Sequence, residues 1–339
     1  MQTEASIIID RVEYNNKAEY EKKLIESVIV SIENHGGKNC LSSIIVTGSF
    51  GRGEPTYTDD EGGHLHLKSD VEIALIYPGS GKKEAVAKLI QHVSADFEEE
   101  LNLMAIDEKR VRKTYNFNFS LVIPKYKTIF NYDLFNGSTT VWGRDFICEK
   151  HISLADCDIY EAKRLVANRI GELVFLQNTS DDSQKEYLRK QWKGKLVLAI
   201  VSAWLICEGN YVSSYHGQHA AIKKTQKKVE QEIGKDFFAD YNKVFIFLRE
   251  SGSEYEVTDY KLQEYVANID RIFKKYCINR SRVNTVSRLA KYFAKYVKTG
   301  MKYGIIHFED KILQALIDGF WMQKSVLSDT ADVWHRVLY

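Results

Sequence analysis

The chain has 339 residues, with 47 Lys and Arg against 46 Asp and Glu, a net charge of +1; 44% of its residues are hydrophobic and 27% charged. That composition excludes a disordered or fibrous chain and lends no support to a protein that coats nucleic acid by bulk charge. The length accommodates two domains with cores of their own. Five cysteines (Cys40, Cys148, Cys157, Cys207 and Cys277) are odd in number, widely spaced and form no CxxC pair, which suits reduced thiols in the cytoplasm. The opening "MQTEASIIID" turns polar and acidic too early for a signal peptide. The longest apolar run, Leu196 to Cys207, is about twelve residues and too short to span a bilayer. A cytoplasmic location with no membrane partner is therefore expected.

In chain order, Tyr14 to Asn34 places Leu24, Ile25, Val28, Ile29 and Ile32 at helical spacing. "HGGKNC" ends that helix, and "LSSIIVTG" is a β-rich run ending on glycine. "DVEIALIY" alternates, with Val71, Ile73 and Leu75 on one side and Asp70, Glu72 and Ala74 on the other, the period of a strand. Glu84 to Leu103 reads as an amphipathic helix, and "YNFNFSLVI" and "KTIFNYDLFN" as two further strands, with "GSTTVWG" after them. From about Asp156 the periodicity is helical throughout, in "DIYEAKRLVANRIGELVFLQ", "KEYLRKQWKGKLVLAIVSAWLICEG", "KKTQKKVEQEIGKDFFADYNKVFIFLRE", "LQEYVANIDRIFKKYCINR" and around "RLAKYFAKYVKTG". The expectation is an α+β domain over residues 1–150 and an all-α helical domain over residues 151–339.

The segment "TGSFGRGEPTYTDDEGGHLHLKSDVEIALIY" decides between two kinds of phosphate site. A dinucleotide site needs GxGxxG opening a helix between two parallel strands. Here the glycines are Gly48, Gly51 and Gly53, spaced GxxGxG, and the polar stretch that follows has no apolar helical period for a crossover. A P-loop also fails, since no GK[ST] closes the glycine run. The alternative is a metal-dependent site. Small residues at Gly48 and Ser49 let backbone N–H groups approach a phosphate, and acids at i and i+2 of a strand share a face, so Asp70 and Glu72 can share divalent cations. Two carboxylates are a thin cage. A third is expected on a neighbouring strand, and "IFNYDLF" supplies Asp133.

These residues resemble the signature of the DNA polymerase beta-like nucleotidyltransferase superfamily, a GS loop followed by acid-x-acid on the next strand. "YDLFNGSTTVWGRD" is similar to the stretch around the third acid in bacterial members with a helical tail. The resemblance implies a small mixed sheet with flanking helices. It implies that Gly48 and Ser49 contact a triphosphate and that Asp70 and Glu72 bind Mg²⁺ (Mn²⁺ as a substitute). Asp133 completes the set and helps deprotonate an acceptor. The activity implied is ATP-dependent transfer of a nucleoside monophosphate to a hydroxyl or phosphate, with release of pyrophosphate. The acceptor would be a small molecule or protein. A second-messenger or nucleic-acid 3′-end nucleotidyltransferase is an alternative, and so is a non-catalytic nucleotide-binding protein such as a toxin–antitoxin component. Two departures stand out: Glu72 where Asp is commoner, and a long stretch between Ser49 and Asp70. Neither the oligomeric state nor the acceptor is legible in the sequence.

"KQWKGKLVLAIVSAWLICEGNYVSSYHG" resembles the helix after the catalytic domain of aminoglycoside-type relatives, where a lysine meets the outer phosphates. Lys193 and Lys195 are the candidates. Lys195 comes first because it shares a helical face with Leu188, Trp192, Ala199 and Ala203. Ser213, Ser214 and Tyr215 either hydrogen-bond phosphate or base, or simply end the helix. Arg52 either reaches a phosphate or forms a surface salt bridge. The inserted "YTDDEGGHLHLK" is a lid, an acceptor-binding element or a solvated loop, with the last favoured, and its His64–His66 pair has no evident third metal ligand. Lys291, Lys295, Lys298 and Lys302, interleaved with aromatics, read as a solvated helix face rather than a nucleic-acid track.

Overall fold

A computed structural model describes residues 17–59, 65–97, 101–108, 128–148, 152–157, 159–177, 182–249 and 255–280. Packing divides them into two units. The first takes in the described residues through Glu108 and those of Ile129–Ser153, and the second holds Thr128 and the described residues from Leu154 onward.

The first unit is α+β. It opens with α1 (Lys17–Asn34), whose Leu24, Val28 and Ile32 form a buried stripe one helical turn apart. Strand β1 (Ser43–Thr47) is buried along its whole length and runs into the one-turn helix α2 (Gly48–Gly51). Strands β2 (Tyr57–Asp59) and β3 (Leu65–Leu67) pair antiparallel, and β4 (Val71–Tyr77) follows. Then come α3 (Lys83–Ala95), β5 (Leu101–Asp107), α4 (Ile129–Asn136) and β6 (Thr139–Gly143). The main sheet is mixed and four-stranded, in the order β5-β4-β1-β6. β1 is antiparallel to both β4 and β6, whereas β4 and β5 are parallel and joined through α3.

Both faces of the sheet are covered. Val71, Ile73, Leu75 and Tyr77 join Ile44 and Val46 beneath α1 and α3, where Val86, Leu89 and Val93 close the core. On the other face Ile45, Ala74 and Ile76 meet Leu134 and Phe135 of α4, with Phe146 and Ile152. The alternation read from "DVEIALIY" is the one observed.

Three local expectations are corrected. "IFNYDLF" is the helix α4, not a strand. Ile129, Tyr132 and Phe135 recur every three residues, and the aromatic and β-branched content masked that helical period. The helix expected over Glu84 to Leu103 ends at Ala95, and "LNLMAID" is strand β5, whose alternating Leu101 and Leu103 pack with Val71 and Ile73. The insert is not a plain solvated loop, since its arms form the β2–β3 hairpin. The backbone N–H of Lys68 donates to Thr56 O, that of Thr56 donates to Ser69 Oγ, and the Tyr57 hydroxyl donates to Glu21 Oε1 on α1 at 2.8 Å. Tyr57 is 3% exposed, and burial followed by the Glu21 hydrogen bond pushes its phenol well above the ordinary range.

In the second unit the elements of the described residues are helical: α5 (Tyr160–Gln177), α6 (Asp182–Glu208), α7 (Tyr215–Lys224), α8 (Gln226–Ile233), α9 (Phe237–Arg249) and α10 (Asp259–Arg280), with a short 3₁₀ turn before them. The single long helical run expected from "KKTQKKVEQEIG…" is broken at Thr225 and at Gly234, whose φ of 151° suits glycine. Buried Asp240 ties α9 to α10 by accepting from Lys261 Nζ at 2.9 Å and from the Tyr265 hydroxyl at 2.7 Å. Among the described residues no helix is long and apolar enough to cross a membrane, and none of Cys40, Cys148, Cys157 and Cys207 is in a disulfide.

Candidate functional site

The antiparallel register of β1 and β4 sets the site. It pairs Thr47 with Glu72, so the first residue after β1, Gly48, falls beside the Glu72 side chain. Gly48 has φ +63°, and a Cβ built on it would lie 1.9 Å from Glu72 Oε2 and 2.7 Å from Glu72 Cδ. Glycine is required twice over there, by the left-handed backbone and by a carboxylate resting on its Cα. An antiparallel β1–β4 pair also has no place for the parallel crossover of a dinucleotide fold.

The rest of the loop is wedged in place. A Cβ on Gly51 would lie 2.5 Å from Val46 O and 2.9 Å from Gly137 O, so α2 packs backbone to backbone against the turn between α4 and β6. The N–H of Glu54 donates to Ser49 O at 2.8 Å, and that of Gly53 to Phe50 O at 3.0 Å. Ser49 is half-buried at the head of α2, where the first N–H groups of a helix have no intrahelical acceptor. Arg52 pairs with Glu54, Nε to Oε2 3.5 Å, and both side chains are largely buried. Arg52 thus forms an ion pair, one of its two alternatives, but an internal pair rather than one at the surface.

Asp70 is exposed and immediately precedes β4, while Glu72 is half-buried within it. Asp133 lies on α4 rather than on a strand, and its carbonyl accepts from the Gly137 N–H at 2.8 Å. Among the described residues no group of three or more Asp, Glu, His or Cys side chains is gathered to hold a metal ion. The expected three-carboxylate set is therefore not assembled. Asp70 stands two residues before Glu72, immediately ahead of the strand. Magnesium is commonly held by one or two carboxylates together with substrate phosphates, and this pair fits an ion of that kind.

Asp107 ends β5 opposite Tyr77. It is five residues along from the level of Glu72, roughly 16 Å of strand. Asp145 turns the chain after β6, accepting from Thr140 Oγ1 at 2.8 Å and the Ile147 N–H at 3.0 Å. Hydrogen bonds from Cys148, Thr140 and Ile147 hold its carboxyl below the usual range.

Within the second unit, Lys193 Nζ lies 2.5 Å from Asp259 Oδ1, and Arg189 bonds the other oxygen of Asp259 at 2.8 Å. Lys195 is half-buried, with its ammonium 5.9 Å from the Trp192 ring centre, as the shared helical face predicts. The Ser214 hydroxyl accepts from the Gly217 N–H at 3.0 Å and caps α7, the helix-end role among its alternatives. The Arg249 guanidinium stacks on Tyr215 at 4.4 Å. His64 and the lysines at 291, 295, 298 and 302 lie outside the described residues, and of His66 only the backbone, paired with Thr58 in the hairpin, is described.

Comparison with family models, curated proteins and solved structures returns no match.

Proposed function

We propose that the first unit is a nucleotidyltransferase domain of the DNA polymerase beta-like kind, binding a magnesium–nucleoside triphosphate. The observation carrying this reading is the contact between Gly48 and the Glu72 carboxylate, with exposed Asp70 two residues before Glu72. It joins a backbone that only glycine can supply to a pair of hard oxygen donors.

In this reading Asp70 and Glu72 hold the ion, which supplies charge neutralisation at the phosphates. Gly48 and Ser49 bring bare backbone against the triphosphate, and a β-carbon at residue 48 would displace the Glu72 carboxylate beside it. The loop's attachments to Val46, Gly137 and Thr139 keep that backbone fixed, so little order must be gained on binding. In transfer, an acceptor oxygen forms its bond to the α-phosphorus as the bond to pyrophosphate breaks, and the acceptor's proton passes to water. ATP is the expected donor and a small molecule or protein the expected acceptor.

Isothermal titration of ATP with and without Mg²⁺, on the full chain and on Asp70→Asn, tests the reading. Binding that needs both the metal and the carboxylate supports it, and binding indifferent to both overturns it. A second reading, nucleotide binding without transfer, is favoured by the placement of Asp133 on a helix. Incubation with α-labelled ATP and separate pools of protein, RNA and small molecules separates the two. Label in any pool establishes transfer and names the acceptor class.

A further inference from the structure

We infer that Asn102 is the third side chain of the Asp70–Glu72 face, and that this face takes one divalent cation delivered with nucleotide phosphates rather than a resident pair of ions. The inference rests on the function proposed above.

The β4–β5 register carries it. The parallel pairing matches Val71 with Leu101, Glu72 with Asn102, Ile73 with Leu103 and Ala74 with Met104. Leu101 and Leu103 pack with Val71 and Ile73 in the core beneath α1 and α3, whereas Met104 and Ile106 pack with Ala74 and Ile76 on the opposite face. By the same alternation Asn102 stands on the Glu72 side, one strand spacing of about 4.8 Å away. It is exposed, and so is Asp70.

Charge then argues against a resident pair. Without nucleotide, the protein alone would have to offset two divalent ions roughly 3.5–4 Å apart, which carry four positive charges. Asp70 and Glu72 supply two negative charges, and a carboxamide adds none. Its Oδ1 is a neutral ligand, and its NH₂ can donate to the Glu72 carboxylate or to a phosphate oxygen. One ion meets the two carboxylates and takes its remaining oxygen ligands from the nucleotide, so cation affinity is weak until nucleotide is present.

Mn²⁺ titration followed by electron paramagnetic resonance, in which bound ion leaves the free-ion signal, tests this on the full chain, with the uptake by ATP alone, titrated without protein, subtracted. Wild type should take up one Mn²⁺ per chain with ATP and bind the ion at least tenfold more weakly without it. Asn102→Asp, which places a third carboxylate on the face, should tighten nucleotide-free Mn²⁺ binding at least tenfold. Ala105→Asp, with the same added charge on the opposite face of the same strand, should give no such gain. Asn102→Ala should retain the wild-type melting temperature and one-ion stoichiometry with ATP. Two ions per chain in wild type, or an Asn102→Asp variant no tighter than Ala105→Asp, would overturn the inference while leaving the proposed function standing. Failure of wild type to bind Mn²⁺ with ATP would overturn both.

Discussion

Replacing Gly48 by alanine isolates the contact on which the proposed site rests. Two penalties arise in the native state. Holding a residue with a β-carbon at φ +63° costs about 1–2 kcal/mol. The new Cβ would also lie 1.9 Å from Glu72 Oε2, so the Glu72 side chain must leave its present rotamer, at a further cost of about 0.5–1.5 kcal/mol. Gly48→Ala should therefore destabilise the protein by roughly 1.5–3.5 kcal/mol. In a Glu72→Ala background only the backbone term remains, so the cost of Gly48→Ala should fall to about 1–2 kcal/mol and the two changes should couple by about 1 kcal/mol. Urea denaturation of the four proteins measures the cycle, with the slope checked for constancy. An equal cost of Gly48→Ala in both backgrounds, or a cost below about 0.5 kcal/mol, would refute the contact.

Three further outcomes follow from the packing. Asp240→Ala removes the acceptor of the buried Tyr265 hydroxyl and of Lys261, and should lower stability by about 2–4 kcal/mol in chemical denaturation. Tyr57→Phe deletes the hydrogen bond that anchors the hairpin to Glu21, and should cost about 1–2 kcal/mol while leaving the α-helical circular dichroism unchanged. Asp96 gives an acid-limb effect. Burial alone would raise its carboxyl pKa, but hydrogen bonds from Ser31 and His35 and the charge of His35 and His92 outweigh it and hold the group low. A folded value below the unfolded one stabilises above about pH 3.9, and that stabilisation is lost as pH falls through the folded value. The melting-temperature advantage of wild type over Asp96→Asn should thus be full at pH 5 to 6 and vanish at the acid end, and an advantage independent of pH would contradict the assignment.

What the sequence revealed and what it hid have physical reasons. The β1 run, the alternation of β4 and the stripe of α1 were legible because each has a clean period and a single buried face per side chain. The Gly48–Glu72 neighbourhood was legible as well, because an antiparallel pair with a short turn or hairpin between its strands brings the end of one to the start of the next. β5 was hidden because it follows α3 closely and its apolar residues prolong the helical pattern. α4 was hidden because eight residues rich in Ile, Phe, Tyr and Leu fit either period. That ambiguity misplaced Asp133, and the loss of β5 concealed Asn102, the residue the register sets beside Glu72. The burial of Arg52 against Glu54 and the sharing of Asp259 by Lys193 and Arg189 depend on tertiary packing, for which sequence spacing carries no signal.

The most direct test of the central claim is calorimetric titration of ATP into wild type, Asp70→Asn and Glu72→Gln, each with and without Mg²⁺. A metal-dependent affinity in wild type that falls at least tenfold in both variants is the predicted result. Equal affinities across the three proteins, or binding unchanged by removal of Mg²⁺, would contradict a metal–nucleotide site at Asp70 and Glu72.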